Sequence, residues 1–594
     1  MNILRQLETL RSKENFIVNF DTSKFNLNYK KNCNYIFLKN FKNNSKNFYL
    51  FSWSEFANGY DKRCLVSKMS YNYTEKILNH IKKKHFFFIY LCNLGLGKKL
   101  TNLTLKKYIL NELYNYFFLY YAFEELKKKK INLSLVNFSK NFIFIEKILR
   151  LFLNSNKIVH NFSKRDFFSR AKSLLSILFY PLYCIVYSSK PLVGKKSSNL
   201  GFKIYKSGFN FKTKPTIFWP AEIDRSLKNK SLLISETDLA KETIRDCKKK
   251  NIELVFSAKR TPVNYLNITA FINLLSLNIK GFVYSILFVN LNFFLLSYLE
   301  KIFTSSSNWL KFISIFNLKK HITYHDYSFD HIVRNFFFKK INCKTYHYKH
   351  THSENTYSNY KLYNNYLYGY CLYDYEFHWS ESSKSMSLAD KSQSKNFVIT
   401  RPLANEYENL NNNLKNKIFT VSFFTSQLGT QDSICNLANH VQFLDFINEY
   451  SKNVKVFIIL KTKYKLSNLK SYYPEIYTII SKFKKKSNIK IYDASHISAE
   501  DLIKKSNVII SMPFSSLTIQ GIYNLKPSFY LDLAKQFSNN FFSKNKIYFD
   551  DKNKFIKKLD YFYNIRKSTE KKLVKKNKNF LFNTNTNKII QYIL

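Results

Sequence analysis

Between Phe397 and Asp532, strand-like and helix-like patterns alternate so regularly that few folds can accommodate the segment. Short apolar runs at Phe397–Thr400, Phe419–Phe424, Val454–Leu460, Ile489–Tyr492, Val508–Ser511 and Ser528–Leu531 read as strands. Helical periodicity fills the intervals, over 433–450, 475–484, 499–505 and 516–524. Strands that are apolar throughout must be covered on both faces, and helical crossovers join parallel strands, so the expected product is a doubly wound α/β domain.

A weaker version of the same alternation begins near 201. Strands are expected at Thr216–Trp219, Ile252–Ser257 and Lys344–Tyr348, helices at 236–250 and 327–339, and at least one helix in the apolar region up to 299. The predicted organisation is therefore two Rossmann-like domains, 201–379 and 396–567, facing one another across a cleft and joined by a polar linker at 380–395. An N-terminal accessory region, 1–200, is α/β or α-rich, with a buried strand at Phe86–Leu94, a strand-to-helix turn at Gly95–Lys98 and a helix from Thr104 to Lys130. Residues 568–594 read as a basic tail. In such sheets ligands bind outside the carboxyl ends of the strands, so the loops after Tyr348, Phe424, Tyr492 and Ser511 should line the cleft.

Charge is the other strong feature: 95 basic against 40 acidic residues, a formal net of +55. Only a dozen of the basic residues are Arg, the side chain whose planar fork matches phosphate best, and Asn, Ile, Phe and Tyr are enriched alongside Lys. Nucleic acid is accordingly not the expected partner, and an anionic membrane surface fits a Lys-rich chain better. The eight cysteines show no metal-ligand spacing and read as buried thiols of a reducing compartment. No signal peptide is recognisable at the start. The uncharged stretches 173–189 and 281–299 are interrupted by Pro181 and by Asn290 and Asn292, which favours core or interfacial helices over membrane spans.

Three strings carry chemistry. In Asn507–Asp532 a strand ends in a Pro turn and two serines that open a helix, offering N–H groups and hydroxyls to a phosphate. The same serines could serve only as helix caps. Lys344–Tyr360 follows a strand at the cleft edge and is rich in His and Tyr; seven of the 12 histidines fall between 321 and 378. Phe419–Ser433 places Thr425, Ser426, Gly429 and Thr430 in a loop between strand and helix.

The first of these strings resembles the C-terminal domain of GT-B-type glycosyltransferases of bacterial surface polysaccharide synthesis. There a strand ending "ISMPF", a pair of small hydroxyl residues, a helix, and "KP" before a strand ending in Asp form part of the nucleotide-sugar site. The second resembles the histidine-bearing loop of those enzymes and, more distantly, that of the teichoic-acid glycerophosphotransferases. The resemblance implies a two-domain GT-B-like fold in which His350 or His352 acts as base on the acceptor hydroxyl, with Glu354 orienting it or serving instead. Donor contacts are expected from Arg401, Thr425, Gly429, Ser511, Phe514, Ser515, Ser516 and Asp532, and acceptor contacts from Asn355 and Trp379. No metal and no cofactor is implied, the nucleotide-sugar being a substrate. The acceptor would be a surface polysaccharide or lipid-linked glycan, and the enzyme cytoplasmic and peripheral at the inner face of the cell membrane. Transfer of a polyol phosphate from a CDP-linked donor on the same architecture is the near alternative. An organellar or ribosomal RNA-binding protein, or a non-catalytic glycan-binding component, are the readings from other classes.

Overall fold

A computed structural model of the chain describes residues 16–19, 34–37, 48–50, 53, 56, 59–128, 133–137, 145, 196–204, 231–236, 238–256, 268–287, 293–324, 326–349, 366–400, 418–428, 435–452, 456–513, 515–535, 547–565, 572 and 574–577. The strand expected at Thr216–Trp219 and the stretch 173–189 lie outside them, as does most of the basic tail.

The N-terminal region is α/β. Strands β1 (Phe16–Asn19), β2 (Asn34–Phe37), β3 (Phe48–Leu50) and β4 (Leu133–Asn137) pair in the order β3-β2-β1-β4, all parallel. Three helices intervene: α1 (Gly59–Lys84), α2 (Phe86–Leu96) and α3 (Lys98–Lys128). Helix α2 corrects the expectation of a buried strand at Phe86–Leu94. A short apolar run is compatible with either state, and here burial has a period of four, at Phe88, Cys92 and Leu96, whereas Phe86, Phe87, Tyr90 and Leu94 are exposed. The turn after it joins two helices and not a strand to a helix. Gly97 breaks them with φ 91°, a conformation that a Cβ disfavours.

The second sheet has seven parallel strands: β5 (Lys196–Ile204), β6 (Ser231–Ser235), β7 (Ile252–Phe256), β8 (Phe316–Tyr324), β9 (Lys344–Tyr348), β10 (Tyr375–His378) and β11 (Asn396–Ile399). Their order is β11-β10-β9-β8-β5-β6-β7. Helices α4 (Lys241–Lys249), α5 (Ile268–Leu287), α6 (Phe293–Ile315), α7 (Phe329–Lys340) and α8 (Glu381–Ala389) belong to this unit. Two expectations change here. The stretch 380–395 holds α8, capped by the Ser380 hydroxyl accepting from Ser383 N–H. The strand at 396–399 pairs with β10, so it closes the edge of this sheet and does not open the next one. Its half-buried residues fit an edge strand, and sequence pattern cannot tell which of two sheets an edge strand will join.

The N-terminal helices share a core with this second unit. Tyr108 of α3 packs on Phe294 and Tyr298 of α6, and Phe329 of α7 completes the cluster. Lys107 is buried; its ammonium donates to the carbonyls of Tyr366 (2.9 Å) and Leu367 (2.8 Å), and burial lowers its pKa to about 8.

The third sheet comprises β12 (Thr420–Phe424), β13 (Phe457–Lys461), β14 (Ile489–Tyr492), β15 (Val508–Ser511), β16 (Ser528–Leu531) and β17 (Tyr548–Phe549), ordered β14-β13-β12-β15-β16-β17 and parallel throughout. Helices α9 (Leu437–Tyr450), α10 (Leu466–Tyr472), α11 (Pro474–Phe483), α12 (Ala499–Lys505), α13 (Ser516–Tyr523) and α14 (Lys552–Asn564) cover it. Apolar side chains of β12, β13, β15 and β16 meet α9, α11 and α14 in one core, and those of β12, β13 and β15 meet α12 in a smaller one. The seven- and six-stranded sheets are two parallel α/β units, as the alternation of strands and helices in the sequence predicts.

Helix α13 sits on β15 and β16 because residue 521 is glycine. A Cβ there would fall 2.6 Å from Ile509 Cδ1 and closer still to Ser528 Oγ. Gly521→Ala is expected to destabilise the protein by about 1–3 kcal/mol, the usual result of forcing a methyl group into a packed contact, read as a lower urea midpoint at unchanged slope.

Candidate functional site

The connectivity of the third sheet locates its crevice. From β12 the chain winds outward through β13 to β14, then crosses back to place β15 on the other side of β12. The connections leaving β12 and β15 therefore diverge to opposite faces, and the gap outside their carboxyl ends is where such sheets take ligands. Thr425 leaves β12 beside this gap, Ser515 and Ser516 follow β15, and Asp532 ends the adjacent β16. Four of the expected donor-site residues are thus brought to three neighbouring strands.

Their local chemistry differs. Ser515 caps α13, its hydroxyl accepting from Leu517 N–H at 3.4 Å, and its carbonyl accepts from the Tyr530 hydroxyl at 2.9 Å. Ser516 is partly exposed at the positive end of the helix. The Thr425 hydroxyl accepts from Lys463 N–H at 3.0 Å, tying the loops after β12 and β13 together. Asp532 is buried and accepts from the Tyr548 hydroxyl. Ser511 is fully buried and turned inward. Because Thr518 spends its one proton on the Phe529 carbonyl (3.1 Å), Ser511 donates to Thr518 Oγ1 at 2.7 Å, a bond that anchors α13 to its sheet. Lys526, part of the "KP" string, lies at the opposite edge of the sheet, where its ammonium donates to the carbonyls of Lys504 (2.8 Å) and Ser506 at the end of α12.

The loop after β14 is held by Asp493. Oδ1 accepts from Ser495 N–H (2.8 Å) and Ser495 Oγ (2.6 Å), and Oδ2 accepts from Leu466 N–H (3.0 Å). Burial alone would raise this carboxyl, but those bonds outweigh it and hold the pKa below the usual value. His496 sits against the same carboxylate, its Nδ1 2.8 Å from Oδ1.

His350, His352, Glu354, Asn355, Arg401, Gly429 and Phe514 lie outside the described residues. The segment bearing the first four leaves the carboxyl end of β9, whose last described residue, Lys349, donates its N–H to Phe377 O at 3.1 Å and places its ammonium 3.8 Å from the centre of the Tyr368 ring. Trp379 is buried, 1 % exposed, and its indole N–H donates to the Tyr348 hydroxyl at 2.7 Å. In this structure it packs the end of the sheet.

The clustering of histidines over 321–378 is expected to mark a functional loop at Lys344–Tyr360, yet four of them, His321, His331, His347 and His378, are enclosed against one face of the second sheet. Thr323, His347 and Glu376 stand side by side on β8, β9 and β10. The Tyr373 ring is stacked between two imidazoles, 5.2 Å from His331 and 4.7 Å from His347. Glu376 accepts from Ser392 Oγ (2.5 Å) and Ser394 Oγ (2.6 Å), with His378 Nε2 3.5 Å from its other oxygen. Burial opposes its charge, but His378 and the Lys349 ammonium hold the carboxyl well below its usual range. The one available signal was alternation: positions 321, 323, 345, 347, 376 and 378 are polar at strand spacing, which marks a polar sheet face.

Desolvation keeps these imidazoles neutral, lowering both His331 and His347 to about 3. The unfolded chain takes up these protons near pH 6.5, whereas the folded protein does not until about pH 3. The unfolded state therefore binds more protons between those limits, and stability is lost as pH falls through them, by about 1.4 kcal/mol per pH unit for each histidine. Urea midpoints measured from pH 7.5 downward should fall accordingly, and His347→Asn should make that dependence shallower.

The Tyr324 phenol is raised above its usual pKa by burial and then by the Glu500 carboxylate in the first turn of α12. Among the described residues no group of three or more His, Cys, Asp or Glu is arranged to hold a metal ion.

Residues 289–559, spanning from just before α6 into α14, match the profile of the family described as "Polysaccharide biosynthesis PFTS motif protein". Over that span the chain is similar to polysaccharide-biosynthesis proteins, as the motif strings led us to expect. No curated protein matches. Similar solved structures include a glycosyltransferase from Rickettsia africae ESF-5, 13% identical over 65% of this chain and 93% of that one, TM-score 0.34. A variant of the wall teichoic acid polymerase TagF is 11% identical over 73% of this chain and 97% of its own, TM-score 0.42. Anabaena Alr3699/HepE in complex with UDP is 10% identical over 65% and 95%, TM-score 0.36.

Proposed function

We propose that the protein is a glycosyltransferase that moves a sugar from a nucleotide-sugar to a hydroxyl of a surface polysaccharide or lipid-linked glycan. The observation that carries this reading is the crevice between β12 and β15, where Thr425, Ser515, Ser516 and Asp532 gather at the carboxyl edge of a doubly wound sheet. The amino end of α13 offers N–H groups and a positive dipole to the diphosphate, and the same groups stabilise the charge that develops on the leaving phosphate. His350 or His352, on the segment that follows β9, takes the acceptor proton as the new glycosidic bond forms. Arg401 serves as a second donor contact, and Glu354 and Asn355 complete the acceptor side.

Calorimetric titration of the purified chain with UDP, GDP, CDP and CMP, with a structured RNA as control at high salt, tests the reading. Saturable one-to-one binding of a nucleoside diphosphate is expected, and Ser516→Asp, which sets a carboxylate at the amino end of α13 where the diphosphate is proposed to lie, should weaken it at least tenfold. Preference for CDP would direct the search for substrate toward CDP-linked polyols. Salt-sensitive RNA binding with no nucleotide preference would overturn the proposal.

A further inference from the structure

Helices α2 and α5 lie side by side at the surface, close enough that a Cβ on Gly95 would stand 3.3 Å from the Tyr284 ring. Both expose large apolar side chains. Phe86, Phe87 and Leu94 of α2 and Ile272, Ile279 and Val283 of α5 range from 43% exposed at Val283 to 70% at Phe86. Water-facing apolar area of this kind marks a docking surface.

We infer that this face docks on an anionic lipid bilayer, with α2 and α5 lying in the interface. Charge complementarity identifies the occupant. Exposed Lys82, Lys83 and Lys84 flank one end of α2, exposed Lys98 and Lys99 the other, and exposed Lys280 lies on α5. No Asp or Glu occurs in 76–111 or in 254–299, so the sequence around both helices is uniformly basic. Exposed apolar side chains flanked in sequence by Lys, with no carboxylate on either segment, suit a surface that is greasy within and negative at its rim.

Helix α5 is long and apolar enough to cross a membrane, but its inner face is already committed to α6. Asn278 is buried, donating to Leu274 O at 2.7 Å and accepting from the Ser307 hydroxyl at 3.2 Å. Gly281 admits the Phe303 ring, which would stand 2.8 Å from a Cβ. Phe303 itself belongs to the main core. Spanning would break these contacts, whereas lying flat keeps them and covers only the outer face. The inference does not depend on the transferase reading, since lipid binding requires neither donor nor acceptor.

The test is co-sedimentation of the full chain with vesicles of phosphatidylcholine alone and of equal parts phosphatidylcholine and phosphatidylglycerol. Binding to the anionic vesicles is expected, and weaker binding to the neutral ones. The variant Phe86→Ser, Phe87→Ser, Leu94→Ser and the variant Lys82→Glu, Lys83→Glu, Lys84→Glu should each lower the partition coefficient by roughly tenfold or more. Tyr561→Ser, an exposed aromatic on α14, should leave it unchanged. Thermal unfolding and nucleotide titration of the same variants should match the parent, which separates this result from any failure of the donor site. Absence of vesicle binding, or equal binding by parent and variants, would overturn the inference. So would a dimer in sedimentation velocity that the apolar variant converts to monomer without any vesicle binding, an outcome that would assign the face to a second copy of the chain.

Discussion

Replacing His350 and His352 together by alanine is expected to lower sugar transfer by about 10²- to 10⁴-fold, the range over which a positioned general base contributes. Nucleotide affinity and thermal unfolding should stay at the parent values, because the donor crevice is built on the third sheet and these histidines follow β9 of the second. The other histidines of this region that the structure describes are buried, and desolvation leaves His331 and His347 uncharged down to about pH 3. A base that works near neutrality must exchange protons with substrate, which a ring enclosed under a sheet cannot do. The single variants His350→Ala and His352→Ala assign the role: one should reproduce the double variant and the other should retain most activity. Full transfer by the double variant, measured with the nucleotide-sugar that calorimetry selects, would remove both residues as bases.

The parts of the fold that were legible in sequence are those where local pattern and tertiary demand coincide. In the third sheet, β12, β13, β14, β15 and β16 overlap the expected runs because most of their residues are apolar and Pro, Ser or Asn breaks separate them. Two misreadings have a common physical origin, namely that the outcome depended on a distant neighbour. The run from Phe86 to Leu94 has no polar alternation to distinguish strand from helix, and what decides is that Phe88 and Cys92 face the α6 layer. The strand at 396–399 joins the second sheet because the edge of β10 is open to it, a fact about residues some twenty positions earlier. The candidate site was legible to the extent that it uses backbone geometry. A turn with two serines ahead of a helix can be read directly, but nothing local in Ser511 reveals that its hydroxyl would be spent on Thr518. The buried polar face around Tyr373 is legible only through strand parity, which the clustering of histidines along the chain does not display.

The largest stability effect is expected from the ion pair beneath that face. Asp326→Ala should cost about 3–5 kcal/mol, the loss typical when one partner of a buried pair is removed. Both side chains are fully enclosed, with Arg334 Nη1 bonded to Asp326 Oδ2. The guanidinium also donates through Nε to Asn335 Oδ1 at 2.9 Å and stands 5.8 Å from the Trp309 ring centre and 5.9 Å from that of Phe338. A guanidinium cannot shed its proton, so without the carboxylate a full charge remains in an aromatic setting. Arg334→Met should cost less, because an abandoned carboxyl can escape its charge by protonation. The double variant is the decisive measurement: with neither charge present it should be more stable than Asp326→Ala alone, giving a coupling energy that urea titration can resolve. Simple additivity of the two single losses would show that the residues act independently. Coupling would instead identify the pair as the fastener that holds α7 against β8 and β9, and hence as what fixes the strand from which His350 departs.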